Sequence, residues 1–257
     1  PVLEQTAMGE DANWLAQEID ADALQLTWVP ATVLADRPAK IASDVAPGEE
    51  VTIANNVQTL LRSARRELIV ISPYFVPGAD GLALMHELVA RGVHIRILTN
   101  SLAATDAPLV INGYAPYRAA LLKMGVELAE VRPKLGQKRL RFHPFRSSNA
   151  SLHAKALVID QRTVFIGSMN MDARSARTNS ELGLVIRSED IARQVTSLLD
   201  DLSADGSYTL SLDARDHVVW SSGEPGALQV WHTDPETTRW QRFLLSLLKP
   251  FAPEELL

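Results

Sequence analysis

Between residues 53 and 131, helix-spaced segments and short apolar runs take turns, and that alternation leaves few architectures open. Ile53, Val57, Leu60, Leu61 and Ala64 recur at helical spacing, and the run ELIVIS over 67–72 suits a buried strand. A second helix is expected over 81–91 with Gly92 as its C-cap. A strand over 93–99, a helix between Asp106 and Met124, and a strand over 126–131 after Gly125 complete the series. Strands and helices in this order predict right-handed crossovers and a parallel sheet.

From residue 152 the rhythm changes. Strand-like segments at 152–160, 163–168 and 181–187 follow one another too closely to be all parallel. Ser188 should cap a helix reaching about Leu202, and further strands are expected at 208–212, 218–221 and 227–231. Asp234-Pro235 offers an N-cap and a first-turn proline for a last helix, where Trp240, Phe243, Leu244, Leu247 and Leu248 form one apolar stripe. That stripe suits core packing, with a surface laid on a membrane or on a partner lobe as the alternative. Upstream, 24–29 reads as a strand and 30–49, with Pro30, Pro38 and Pro47, as a linker. The expected fold class is α/β, a mixed, largely parallel sheet flanked by helices on both faces, with the compact domain over 50–257.

Composition narrows the class of function. Of 257 residues 46% are apolar and 22% charged, as in ordinary globular proteins, and no apolar run approaches the roughly 18 residues of a membrane span. The absence of cysteine excludes disulfides and thiolate metal sites and leaves the compartment open. A net charge of -6 argues against bulk nucleic-acid binding. One segment runs the other way: Arg132, Lys134, Lys138, Arg139, Arg141 and Arg146 fall between 131 and 146 with no acidic residue among them. It reads as a solvated loop or as a surface for anions. The chain opens at Pro1 without an initiator methionine or a signal-peptide pattern, and is read as a piece of something longer.

The chemistry concentrates in 152–181, LHAKALVIDQRTVFIGSMNMDARSARTNSE. Residues two apart on a strand share a face, so His153 and Lys155 point the same way. A two-residue turn at Gln161-Arg162 would set Lys155 opposite Ser168 and His153 opposite Asn170. Gly167 would let a substrate or another backbone come close. Imidazole, ammonium, hydroxyl and carboxamide then surround a space the size of a phosphate. Phosphodiester cleavage needs a nucleophile, an acid for the leaving oxygen, and donors for the non-bridging oxygens. His153 suits either of the first two roles, and Lys155 with Asn170 the third. Glu181 is the candidate to hydrogen-bond the far nitrogen of His153. Asp160 has the wrong parity to face the substrate and is expected to stabilise the turn through bonds to the backbone. Lys155 beside His153 would repel a cation, so neither metal nor cofactor is expected.

His-x-Lys-x4-Asp (His153, Lys155, Asp160) followed by Gly-Ser-x-Asn (Gly167, Ser168, Asn170), with Glu181 downstream, resembles the signature of the phospholipase D superfamily. ISPYFVPGADGLALMHELVARGVHIRILTNSLAATD, GYAPYRAALLKMGVELAEVRP and DPETTRWQRFLLSLL look like the second half of bacterial cardiolipin synthases, particularly the type that can use phosphatidylethanolamine. The resemblance implies a phospholipase D-like lobe and phosphatidyl transfer through a phosphohistidine without a metal, on phospholipid at an anionic membrane surface. It also implies peripheral attachment to the bacterial cell membrane. Such enzymes carry two His-Lys motifs, one per lobe; here His86, His94, His143, His217 and His232 lack a lysine two residues on. The second half-site is therefore expected from an N-terminal lobe, of which 1–49 would be a remnant, or from a symmetric second chain. The alternatives are a phosphodiesterase or nuclease of the same superfamily, and a lobe that is catalytically silent in isolation.

Overall fold

Three parallel strands form the middle of the sheet in the computed structural model, which describes residues 27–40, 52–133, 151–223 and 227–249. They are β2 (Glu67–Ile71), β3 (His94–Asn100) and β4 (Glu127–Val131), paired Val70 to Ile97 and Leu98 to Ala129. Their crossovers are α2 (Gly78–Ala90) and the pair α3 (Pro108–Tyr114) and α4 (Arg118–Lys123), while α1 (Ile53–Ser63) leads into β2. Thr52 caps α1 by accepting the Asn55 amide. Gly92 ends the turn after α2 at φ +82°, where its own amide donates to Val89 and that of Val93 to Leu88. The single helix expected between Asp106 and Met124 is broken by a 3-10 turn at Ala115–Tyr117, because Pro116 carries no amide to continue the ladder.

Among the described residues all other pairings between strands are antiparallel. β5 (Ala156–Ile159), β6 (Thr163–Gly167), β7 (Leu182–Arg187) and β1 (Ala31–Ala35) extend one side. β8 (Ser207–Leu212), β9 (Val218–Ser222) and β10 (Gln229–Trp231) extend the other, giving the order β1-β7-β6-β5-β2-β3-β4-β8-β9-β10. The fold is thus the expected mixed α/β sheet, but parallel order is confined to its centre. β2, β3 and β4 are neighbours joined by helical crossovers, whereas the helix after β7 carries the chain across to β8, which lies beside β4 and not beside β7.

The expected linker over 30–49 is corrected where the structure describes it. Ala31–Ala35 is an edge strand paired Val33 to Leu184, and Pro38–Lys40 is a 3-10 turn. The prolines that suggested a linker bracket the strand: Pro30 needs no ladder amide at the edge and accepts one from Arg187 through its carbonyl. Of the strand expected at 24–29, residues 27–29 are outside any ladder and 24–26 lie outside the described residues.

Each face of the sheet buries its own cluster. Val70, Ile97, Leu157 and Phe165 pack beneath α1 to α4; the short α5 (Ala173–Arg177) follows β6 in the chain, and Ile69, Leu98, Val158 and Val164 pack beneath α6 (Glu189–Asp205), which Ser188 caps. Arg118 is buried between the rings of Tyr114 and Trp220, in ion pairs with Glu130 at 2.8 Å and Asp234 at 3.1 Å. These contacts tie the segment before α7 (Arg239–Leu248) to the sheet. The stripe Trp240, Phe243, Leu244, Leu247 and Leu248 is exposed, so the core-packing expectation for it is also corrected. The helix turns its other side, at Leu245, toward the protein, where Asn112 Nδ2 donates to the Leu245 carbonyl.

Candidate active site

β5 and β6 form the hairpin that carries the motif, with a turn one residue longer than expected. Ile159 pairs with Thr163, so Asp160, Gln161 and Arg162 make the loop, with Asp160 and Gln161 in left-handed conformation at φ 53° and 56°. The expected pairing of Lys155 with Ser168 is corrected by one residue: the Gly167 amide donates to the Lys155 carbonyl at 3.2 Å. Lys155 and His153 thus share the face of Leu157, Phe165 and Gly167. His153 and Lys155 themselves precede β5.

That backbone is positioned by a residue the sequence did not single out. Asn100, fully buried at the end of β3, accepts the Leu152 amide at 2.8 Å and donates to the Leu152 carbonyl at 3.0 Å. It grips the residue before His153 from both sides. Ser72, at the end of β2, does comparable work for the other strand: its hydroxyl donates to the Tyr74 carbonyl and accepts the Met171 amide, next to Asn170. A polar residue just past an apolar strand was the available signal, since ligands gather at the carboxyl ends of parallel strands.

Beyond β6 the chain leaves the ladder. Ser168 is hydrogen-bonded to Leu182, its amide donating to the carbonyl at 2.8 Å and its Oγ accepting the Leu182 amide at 3.0 Å. The Ser168 hydroxyl is donated to the buried carboxylate of Glu181. The expected bond from Glu181 to the His153 ring is replaced by this one, and among the described residues no side chain hydrogen-bonds that ring. The reason is tertiary: Asp36, just after β1, accepts the Glu181 amide at 3.1 Å and donates its own amide to the Glu181 carbonyl at 2.9 Å. The backbone amide of Asn170 donates to the Ser175 hydroxyl oxygen at 3.1 Å, and among the described residues the Asn170 Oδ1 is buried without a partner. Gly167 lines a cavity together with His153 and Lys155 and also lets another backbone come close. A Cβ there would lie 2.5 Å from the Leu182 carbonyl oxygen and 3.1 Å from the Phe165 ring, which also covers Gly183.

Tyr74, His153, Lys155, Ser168, Asn170 and Glu181 line one open cavity of about 720 Å³, with 178–180 completing its wall. Burial pulls the Lys155 ammonium below its usual range, opposed by the charges of Glu181, Asp106 and Asp172. Burial and a hydrogen bond to Asp106 push the Tyr74 hydroxyl up to about 12. Asp160 stands apart from the cavity. Its carboxylate accepts the amides of Arg65, Arg66 and Glu67 at 3.1, 2.7 and 3.0 Å. Partial burial would raise its pKa, but those amides and the charge of Arg66 outweigh it and hold the carboxyl low. Among the described residues no three His, Asp or Glu side chains are grouped to hold a metal. In the basic segment, Arg132 is engaged within the chain by Ser222, Glu236 and the Tyr208 ring. Lys134, Lys138, Arg139, Arg141 and Arg146 lie outside the described residues.

The class is that of a phospholipase D-like α/β lobe, with a His-Lys hairpin at the carboxyl ends of its parallel strands. The family described as "Cardiolipin synthase, PLD-like domain" matches residues 57–202, and the chain belongs to it. It is 36% identical to cardiolipin synthase C of Escherichia coli K12 over 91% of this chain and 50% of that protein. It is 31% identical to cardiolipin synthase A of Buchnera aphidicola subsp. Acyrthosiphon pisum (strain APS) over 53% of this chain and 24% of that one. The crystal structure of phosphatidylserine synthase from Haemophilus influenzae Rd KW20 shares the fold at TM-score 0.56 and 13% identity, over 91% of this chain and 49% of that one. The chain spans about half the length of the cardiolipin synthase C sequence it is similar to.

Proposed function

We propose that this chain supplies one His-Lys half-site of a phosphatidyltransferase that moves a phosphatidyl group between phospholipid hydroxyls. The observation that carries the reading is the shared cavity: an unpaired imidazole, one ammonium and the Asn170 carboxamide face a single open space. In the reaction, one histidine attacks phosphorus and a second protonates the departing alkoxide. That second residue then takes the proton from the acceptor hydroxyl as its oxygen attacks the phosphohistidine and frees the first imidazole. Lys155 and Asn170 hold the non-bridging oxygens throughout.

One imidazole cannot stand on both sides of phosphorus. Among the described residues no other histidine lines the cavity, so the second half-site belongs to another lobe or to a second copy of the chain. The opposite face of the same strands is also open to a neighbour, though it does not border the cavity. Ile166, Leu184 and Val33 form one cross-strand row and are exposed despite their apolar character. Peripheral work at a bacterial membrane fits the lipid substrate, and among the described residues no helix is long and apolar enough to cross a bilayer.

The test combines size separation with assays on each fraction, using phosphatidylglycerol with and without phosphatidylethanolamine, and single-stranded DNA. Cardiolipin formed by a dimer, or only after a lobe carrying a second His-x-Lys motif is added, is the expected outcome. Robust turnover by a strict monomer would sink the half-site. DNA cleavage without lipid transfer would replace the transferase by a nuclease.

A further inference from the structure

We propose that α7 is an interfacial helix through which the domain docks on an anionic lipid bilayer. The helix is built the wrong way round for a core element. Trp240, Phe243, Leu244, Leu247 and Leu248 follow i, i+3, i+4, i+7, i+8 spacing and form a single stripe, yet Trp240 is 68% exposed and Leu247 57%. Arg242, on the opposite side, is half-buried and donates to the carbonyl and hydroxyl oxygens of Thr237. The Trp240 and Phe243 rings lie against each other at 5.6 Å, so the apolar surface is continuous.

The helix is held firmly in this orientation. Thr238 and Gln241 form a reciprocal capping box at its start. Asn112 holds the Leu245 carbonyl, and Leu245 packs against the core. Leu109, one turn before Asn112 on α3 and so on the same side of that helix, is also exposed.

Charge selects the occupant. From Thr237 to Lys249 there is no acidic residue, and with Arg242 engaged by Thr237 the helix offers two exposed cations, Arg239 and Lys249, at its two ends, in a chain whose net charge is -6. An apolar stripe with aromatic residues and flanking cations matches the boundary between headgroups and acyl chains of an anionic bilayer. α3 begins just beyond Asp106, which hydrogen-bonds Tyr74 in the cavity wall, so a bilayer against α7 and α3 lies on the cavity's side of the sheet. The inference rests on the lipid-substrate reading only in its purpose.

Co-sedimentation of the whole 257-residue chain with phosphatidylcholine vesicles, with and without phosphatidylglycerol, tests it. Binding should require phosphatidylglycerol and weaken with salt. Trp240→Ser with Phe243→Ser should lower affinity at least about tenfold, since two large side chains lose their burial in lipid. Arg239→Glu with Lys249→Glu should lower it by a similar factor at low salt. Unchanged binding by either pair of substitutions, each checked for folding by thermal unfolding, overturns the proposal. So does lipid-free self-association abolished by the serine pair, which would assign the stripe to a second copy. Binding is read without turnover, so the two readings fail separately. A chain that docks through α7 but never transfers lipid rejects the catalytic reading alone, and one that transfers soluble short-chain lipid but never docks rejects this one alone.

Discussion

Asn100 grips Leu152 by both its amide and its carbonyl, at 2.8 and 3.0 Å, and thereby sets where the next residue, His153, can stand. Asn100 touches no substrate; it acts through the backbone. Asn100→Asp keeps the acceptor and loses the donor, leaving a buried charge, while Asn100→Ala loses both. We predict that turnover by the assembled enzyme falls roughly 10- to 100-fold in Asn100→Ala, as second-layer residues of an active site commonly show. The loss should fall on kcat more than KM, because the geometry of the His153 imidazole is disturbed and not the lipid contacts. A variant that only loses thermal stability, with full kcat in the surviving folded fraction, would make Asn100 merely structural.

His153→Ala should abolish turnover while the unfolding transition stays put, because the ring is exposed and no described side chain is bonded to it. Acid–base or nucleophilic participation is worth at least about 10²–10⁴ in rate. Retention of half the activity would exclude the residue from the chemistry. Turnover should also persist in excess chelator, the role of a cation being filled by Lys155.

Lys155 carries its charge against a burial penalty. Its folded pKa lies below the unfolded value of about 10.4, so below that value the folded state is the poorer binder of this proton, and stability rises as pH climbs through the window between the two. Lys155→Met should therefore abolish turnover without lowering the melting temperature at pH 7. In the parent enzyme the rate should fall on the alkaline side at a pH below the ordinary lysine value, as the ammonium that holds the phosphoryl oxygens is lost. A marked drop in the melting temperature of Lys155→Met would contradict this.

Asp160 has the opposite sign. Its carboxyl is held below the ordinary value near 3.9, so its contribution is fully present above that pH and is lost as pH falls through the folded pKa. Asp160→Asn tolerates the left-handed backbone at φ 53° but loses the charge, and should cost about 1–2 kcal/mol at pH 7. Asp160→Ala should cost more, since alanine adds backbone strain. Denaturant titrations at pH 7 and near pH 2 should show the Asn deficit shrinking; a deficit independent of pH would rule out the carboxylate as its source.

Glu130 and Arg118 form a buried pair closed by Trp220 and Asp234. Removing one partner strands the other, so Glu130→Gln should destabilise by about 3–5 kcal/mol, more than any of the site substitutions above. Chemical denaturation measures it directly. A loss under about 1 kcal/mol would mean that water reaches the pair.

Much of this molecule was legible in one dimension because its signals are local. Alternating runs over 53–131 carry the parallel strands and their helices, since periods of 2 and 3.6 are properties of a single chain segment. The group His153, Lys155, Gly167, Ser168 and Asn170 was readable because a tight hairpin brings sequence neighbours together. What the sequence left open depends on distant partners. A turn one residue longer moved Lys155 from Ser168 to Gly167, because left-handed backbone at Asp160 is stabilised by the amides of 65–67 at the entry to β2. Glu181 met Ser168 and not His153 because Asp36, 145 residues away, holds its backbone. The stripe on α7 had the spacing of a core helix, but spacing says only that one side is apolar; which side meets the protein was decided by Leu245 and Asn112. Periodicity reports the shape of a segment, and only tertiary contacts decide what each of its faces touches.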